Sequence, residues 1–234
     1  MCVIADERRT GEWAWLGSVP YDMALHLQEV VRDQIAEGKA ADTLLLLEHE
    51  PVITLGRSAD PANVLASPEE LGRNGISVVR TSRGGDVTFH GPGQLVGYPV
   101  FRLHRGVRAH VKAMADGIIV ALGTLGIAAE WRESHPGVWV GTEKICALGV
   151  HVRRHVAMHG FALNVSTDLA GFCAIVPCGL RNAGVTSIAR LLGTAPELEP
   201  IAERVVHAFE QSFCMCLERI SASSSRLQSA YGTL

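Results

Sequence analysis

The chain has 234 residues, 47% of them apolar, 19% charged and 6% aromatic, a composition that excludes disorder and suits a folded domain. At this length roughly 70% of the unfolded surface can be buried, so a core forms without disulfide or metal staples. A formal charge of −3 supplies no global basic field for nucleic acid or anionic lipid.

The opening residues to Trp13 carry Asp6, Glu7, Arg8, Arg9 and Glu12 with no secretory apolar region behind them. The longest apolar segment, Gly117 to Ala129, is broken by Gly123, Thr124 and Gly126, well short of the roughly 20 residues a bilayer demands. A cytosolic protein is therefore expected, with no membrane and no nucleic-acid partner. Its six cysteines (2, 146, 173, 178, 214 and 216) read as reduced thiols. Cys173 and Cys146 have apolar neighbours and are expected in the core, and Cys214 and Cys216 are expected as small hydrophobes in the last helix.

In chain order, Ser18 is a candidate cap and Pro20 a first-turn residue for a helix in which Ala24, Leu27, Val31 and Ile35 recur at helical spacing, closed by Gly38. Thr43 to Glu48 and Val52 to Leu55 read as two strands broken at Pro51. A loop with a short helix around Glu69 to Arg73 leads into a strand from Ile76 to Thr81. Glycines at 84, 85, 91, 93 and 97 then interrupt otherwise strand-like sequence, implying tight turns and close backbone approach. Val111, Met114, Ile118, Leu122 and Leu125 mark a second long helix, with Gly126 past its end. Three strands follow, Gly137 to Val140, Ile145 to Val152 and Val156 to Val165, the last two joined by the turn Arg153, Arg154, His155. Pro196 to Leu217 is expected to be helical throughout, and the Ser-rich residues 221–234 to be a poorly ordered tail. Residues 1–220 then make one α+β domain with a mainly antiparallel sheet, because strands and helices do not alternate regularly.

Three segments have residue types ill-suited to mere packing. Arg83-Gly84-Gly85 alone would be a hairpin turn, yet His90-Gly91-Pro92-Gly93-Gln94 follows within a strand length, and together they suggest a pocket wall. Neither glycine pattern matches a phosphate-cradling loop. Lys144 opens an apolar strand; taken alone, it reads as an edge lysine with its head in water. Pro177-Cys178-Gly179 sets a thiol on a turn, between a residue that restricts φ and one that frees it, which makes Cys178 the candidate reactive cysteine.

Taken together, LLLLEHEPVITLGR, RGGDVTFHGPGQLVGYPV, GVWVGTEKICALGVHV, HGFALNV and IVPCGL resemble the lipoyl(octanoyl) transferase family, in the family's order from Tyr21 to about Leu192. Small departures are Glu50 where the family usually has Pro, and Ile53 where an aromatic is common. The resemblance implies an α+β domain of the biotin/lipoate protein ligase type. It also implies transfer of an octanoyl group from octanoyl-acyl carrier protein, through a cysteine thioester, to a lysine of lipoyl domains. The acceptors it implies are the lipoyl domains of 2-oxoacid dehydrogenase complexes and the glycine cleavage H protein. By that resemblance Cys178 is the nucleophile and Lys144 its partner. The acyl-binding residues would be Arg83, Gly84, Gly85, Asp86, Val87, Thr88, Phe89 and His90, together with Ala147, Leu148, Gly149, Gly160, Phe161 and Ala162. No cofactor and no metal are expected, since a thioester donor makes amide formation downhill without ATP. The competing readings are an ATP-dependent lipoate or biotin protein ligase and a non-catalytic acyl-binding module. The segment from Arg102 to Lys112, with four cations, two histidines and no acid, is a candidate docking surface for an acidic carrier protein.

Overall fold

A computed structural model describes residues 9–176, 184–224 and 227. In chain order the elements are β1 (Arg9–Ser18), α1 (Tyr21–Ala36), β2 (Asp42–Glu48), β3 (Val52–Leu55), α2 (Pro68–Arg73), β4 (Ser77–Arg80), β5 (Val87–His90), β6 (Gln94–Val100) and α3 (Gly106–Gly123). They continue with β7 (Glu130–Trp131), β8 (Val138–Val140), β9 (Glu143–Arg153), β10 (Val156–Asn164), β11 (Gly184–Val185), α4 (Ile188–Leu192), α5 (Leu198–Ser212) and β12 (Met215–Arg219).

The larger sheet has nine strands in the order β12-β1-β2-β6-β10-β9-β8-β7, with β11 also paired to β9. From β2 through β7 neighbours are antiparallel, whereas β1 runs parallel to β2 and β12, and β11 parallel to β9. The leucine run of β2 is apolar at every position because both faces of this sheet are covered. Leu44 and Leu46 enter the core under α3 and α5, while Leu45 and Leu47 enter the core under α1. A smaller sheet, β4-β3-β5, lies over a third core that includes Phe89, Phe172 and Ile175.

The α+β class and the mainly antiparallel sheet agree with the sequence. Several local expectations do not. Ser18 ends a ten-residue strand and caps nothing; Pro20 occupies the N-cap of α1 without a side-chain hydrogen bond. Helix α5 stops at Ser212, and the chain turns through Cys214, at φ 51, into β12. Cys214 and Cys216 therefore lie on a turn and an exposed strand position, outside any helix. Phe213, just past the end of α5, packs edge-on against Phe101. Cys173 is exposed on a short 3₁₀ turn, not in the core, whereas Cys146 is buried and its thiol is pushed up by that burial. The β9–β10 turn forms as expected, with Arg154 and His155 both at positive φ, the geometry that matches the twist of a tight hairpin. Leu227, from the segment expected as a tail, is buried in the core under α1. Among the described residues no helix is long and apolar enough to cross a membrane.

Candidate active site

A cavity of about 320 Å³ opens between the two sheets. One wall comes from β9 and β10, whose register pairs Ala147 with Ala162, Leu148 with Phe161 and Gly149 with Gly160. Bare backbone is a steric need there. A Cβ on Gly160 would stand 2.2 Å from the Gly97 carbonyl oxygen, and one on Gly149 would stand 2.9 Å from the Gly84 oxygen. Arg83, Gly85, Asp86, Val87, Thr88 and His90 form the facing wall. The structure thus brings together twelve of the fourteen residues that the resemblance marks as acyl-binding. Phe89 is not among them: strand alternation turns its ring to the third core, against Phe172 at 5.5 Å. Nor is Gly84, whose N–H donates to the Val150 carbonyl at 2.9 Å and pins the loop over β9.

Sequence reasoning missed the other lining residues, among them Tyr21, Tyr98, His159 and the loop Ser134-His135-Pro136. A tyrosine at a helix start and one in an apolar strand carry no signal of their own. His159, just before Gly160 in HGFALNV, is the one that could have been found, as a histidine in an otherwise apolar strand.

Burial keeps the histidines and tyrosines of the interior uncharged. Desolvation holds His49 down to about 4, and His90 and His159 down to about 3, so all three are neutral at pH 7. Burial likewise raises the phenols of Tyr21 and Tyr98. Hydrogen bonds set the tautomers: His49 Nδ1–H donates to the Val19 carbonyl at 2.6 Å, leaving Nε2 to accept from the Tyr98 hydroxyl at 2.7 Å. His90 Nδ1–H donates to Gln94 Oε1 at 2.8 Å. Gln94 Nε2 donates to Asn164 Oδ1, and Asn164 Nδ2 to the Thr186 carbonyl. The Thr186 N–H in turn donates to the Lys144 carbonyl, so a polar chain runs from the cavity to the backbone of Lys144. Gln94, read as part of a pocket wall, is a buried strut of this chain. The Arg83 guanidinium is held by Thr54, with Nη2 2.7 Å from its carbonyl oxygen. Asp86 accepts at one carboxylate oxygen from Asn63 Nδ2, at 2.6 Å, and at the other from the Asp60 N–H.

Lys144 is not an edge lysine with its head in water. It is only 6% exposed because β8, β11 and β10 flank its strand. Its Nζ donates to the Pro136 carbonyl at 3.4 Å and lies 5.0 Å from the centre of the Trp139 ring. Pro136 is itself part of the cavity wall, so the ammonium, though it does not line the cavity, is bonded to the loop that does. Cys178 lies outside the described residues. The chain on either side of it is anchored, with the Val176 N–H donating to the Asn63 carbonyl and Val185 paired beside Lys144 in β11.

Comparison with known proteins follows the same lines. The model of the lipoyl protein ligase A/B catalytic domain matches residues 20–210. An octanoyltransferase of Solibacter usitatus is 51% identical over 201 residues, 85% of this chain and 90% of that protein. One of Myxococcus xanthus is 47% identical over 218 residues, 88% of this chain but 60% of that longer protein. Among solved structures, lipoate-protein ligase A bound with ATP superposes with a TM-score of 0.80 at 18% identity, covering 95% of this chain and 92% of that one. Similarity at that identity shows the shared fold alone.

Proposed function

Since the chain belongs to the octanoyltransferases of the lipoyl protein ligase A/B family, we propose that Cys178 carries the octanoyl group as a thioester and that Lys144 moves the protons of both half-reactions. The enzyme is an acyltransferase of protein lipoylation. Its donor, in this reading, is octanoyl-acyl carrier protein, and its acceptors are lysines of lipoyl domains, in 2-oxoacid dehydrogenase complexes and in the glycine cleavage H protein.

The observation that carries the reading is the buried ammonium of Lys144, bonded to the cavity wall and next to the strand that leads directly out of the Cys178 segment. A free thiol, with a pKa near ~8.5, is mostly protonated at neutral pH, and a nearby ammonium favours the thiolate that attacks the donor carbonyl. The new C–S bond forms as the donor's C–S bond breaks, and Lys144 gives its proton to the departing thiolate. Now neutral, Lys144 takes a proton from the incoming lysine amine as that nitrogen displaces Cys178. Exchange of a thioester for an amide runs downhill, so no nucleotide is consumed. The alkyl tail lies along the wall formed by Ala147–Gly149 and Gly160–Ala162, opposite the residues from Arg83 to His90, where burial is worth roughly 0.8 kcal/mol per methylene.

Incubation with octanoyl-acyl carrier protein, without ATP, is expected to give a hydroxylamine-labile adduct that peptide mass spectrometry places on Cys178. Cys178→Ser should abolish the adduct, and Cys173→Ser should retain it. An absolute need for ATP, or an adduct on Cys173, would overturn the reading.

A further inference from the structure

Resting on the reading above, in which the acyl tail occupies the cavity, we propose that His159, flanked by Tyr21 and Tyr98, closes the far end of that cavity and sets the acyl length the enzyme accepts. The β9–β10 register acts as a ruler. Lys144 precedes the wall along β9, and the paired positions that follow run from Ala147 and Ala162 to Val150 and His159. Three residues of strand, from Ala162 to His159, span about 10 Å. An extended octanoyl chain, seven bonds of about 1.5 Å in a zigzag, spans about 9 Å. A tail that starts alongside Ala162 therefore ends against the His159 ring.

That end is a wall of rings tied from behind. His159 takes φ 58, a conformation few non-glycine residues adopt, and its N–H is held by Gln28 Oε1 at 2.8 Å. Its Nε2 stands 3.1 Å from Ser82 Oγ and 3.5 Å from Thr81 Oγ1. The Tyr21 hydroxyl donates to the same Thr81 oxygen at 3.2 Å, and the Tyr98 hydroxyl is fixed on His49. The Tyr98 and His159 rings meet edge to face, 6.5 Å apart. With both phenol oxygens and His159 Nε2 taken up by these partners, the rings offer carbon to the tail. In an open apolar slot each further methylene would strengthen binding about fourfold. Here a longer tail must displace a tethered ring and leave buried polar atoms without partners, which reverses the sign.

The test is a donor series of acyl carrier proteins loaded with 6, 8, 10 or 12 carbons, read as the ratio of kcat/KM for decanoyl over octanoyl. His159→Gly removes the ring and suits the positive φ, and is expected to raise that ratio at least tenfold. Thr81→Val combined with Ser82→Ala keeps every ring but cuts the ties, and should raise it severalfold; it decides the matter if His159→Gly does not fold by circular dichroism. A wild-type ratio in the folded variants overturns the proposal. A wild-type protein that transfers no octanoyl group from its donor refutes the functional reading instead.

Discussion

Replacing Lys144 by Met separates chemistry from architecture. The lysine stem runs close to Gly137, where even an added Cβ would stand 3.0 Å from Lys144 Cε, so a side chain of similar length and no charge fits the same channel. Pro136, which accepts from Nζ, is exposed, and its carbonyl can turn to water once the ammonium is gone. Stability is therefore expected to change by less than about 1 kcal/mol, a shift in Tm of at most roughly 4 °C. A positioned acid/base contributes about 10²- to 10⁴-fold, so turnover should fall by that factor, or about 3 to 5 kcal/mol in the barrier. Intact-mass spectrometry would follow acylation of the enzyme, and a single-turnover chase with a lipoyl domain would follow transfer. Both half-reactions should slow. A turnover loss below tenfold, or a loss accompanied by a Tm drop of 10 °C or more, would refute the assignment and leave Lys144 a structural residue.

Gly160→Ala sets a Cβ 2.2 Å from the Gly97 oxygen in the middle of the sheet, and should cost at least about 1 to 3 kcal/mol by denaturant titration; an unchanged midpoint would contradict the packing. His49, His90, His110 and His159 are all held below 6.5 in the fold, chiefly by burial. The unfolded chain binds protons there that the native state refuses, so stability is complete well above pH 6.5 and falls as pH drops through that value toward about 3. Denaturation at pH 7, 6 and 5 should show a loss steeper than one proton, and a slope below one between pH 6 and 5 would be incompatible with four neutral histidines. His110→Phe should also gain about 1 kcal/mol, because the buried Nε2 of His110 has no hydrogen-bond partner among the described residues and its ring packs against Phe101 and Phe213. In the basic segment, Arg108 is paired with Glu133, Lys112 with Asp116, and Arg102 donates to the Ile35 carbonyl, whereas exposed Arg105 makes no ion pair among the described residues. Arg105→Glu should raise KM for the carrier-protein donor more at low salt than at high salt, and more than Arg108→Glu does. An equal defect with a small octanoyl thioester would assign the segment to structure.

Local pattern was enough for α1, α3, the β2–β3 break and the β9–β10 hairpin, because periodicity and turn chemistry act over a few residues. It pointed, too, to Arg83, Gly85 and His90 in the cavity wall, since glycines beside polar residues in strand-like sequence are costly unless something comes close, but Ala147–Gly149 and Gly160–Ala162 were marked only by the family resemblance. It failed where distant partners decide. Arg9–Ser18 becomes a strand only between β2 and β12, and Met215–Arg219 leaves the helical pattern because the open edge of β1 takes up its backbone hydrogen bonds. Cys173 looked like core by its neighbours, yet the 3₁₀ turn that carries it faces out. Phe89 and Thr88 are adjacent in one motif, but the second sheet puts one in a core and the other in the cavity. Lys144 is the sharpest case. Its sequence neighbours allow a solvated edge lysine; β8, folded back by a short turn, brings Trp139 over it, and β11, from some forty residues further along the chain, closes the other side and buries the ammonium. Residue types set what chemistry is available; which groups are desolvated and brought into contact depends on strands far apart in sequence, and that only the folded chain decides.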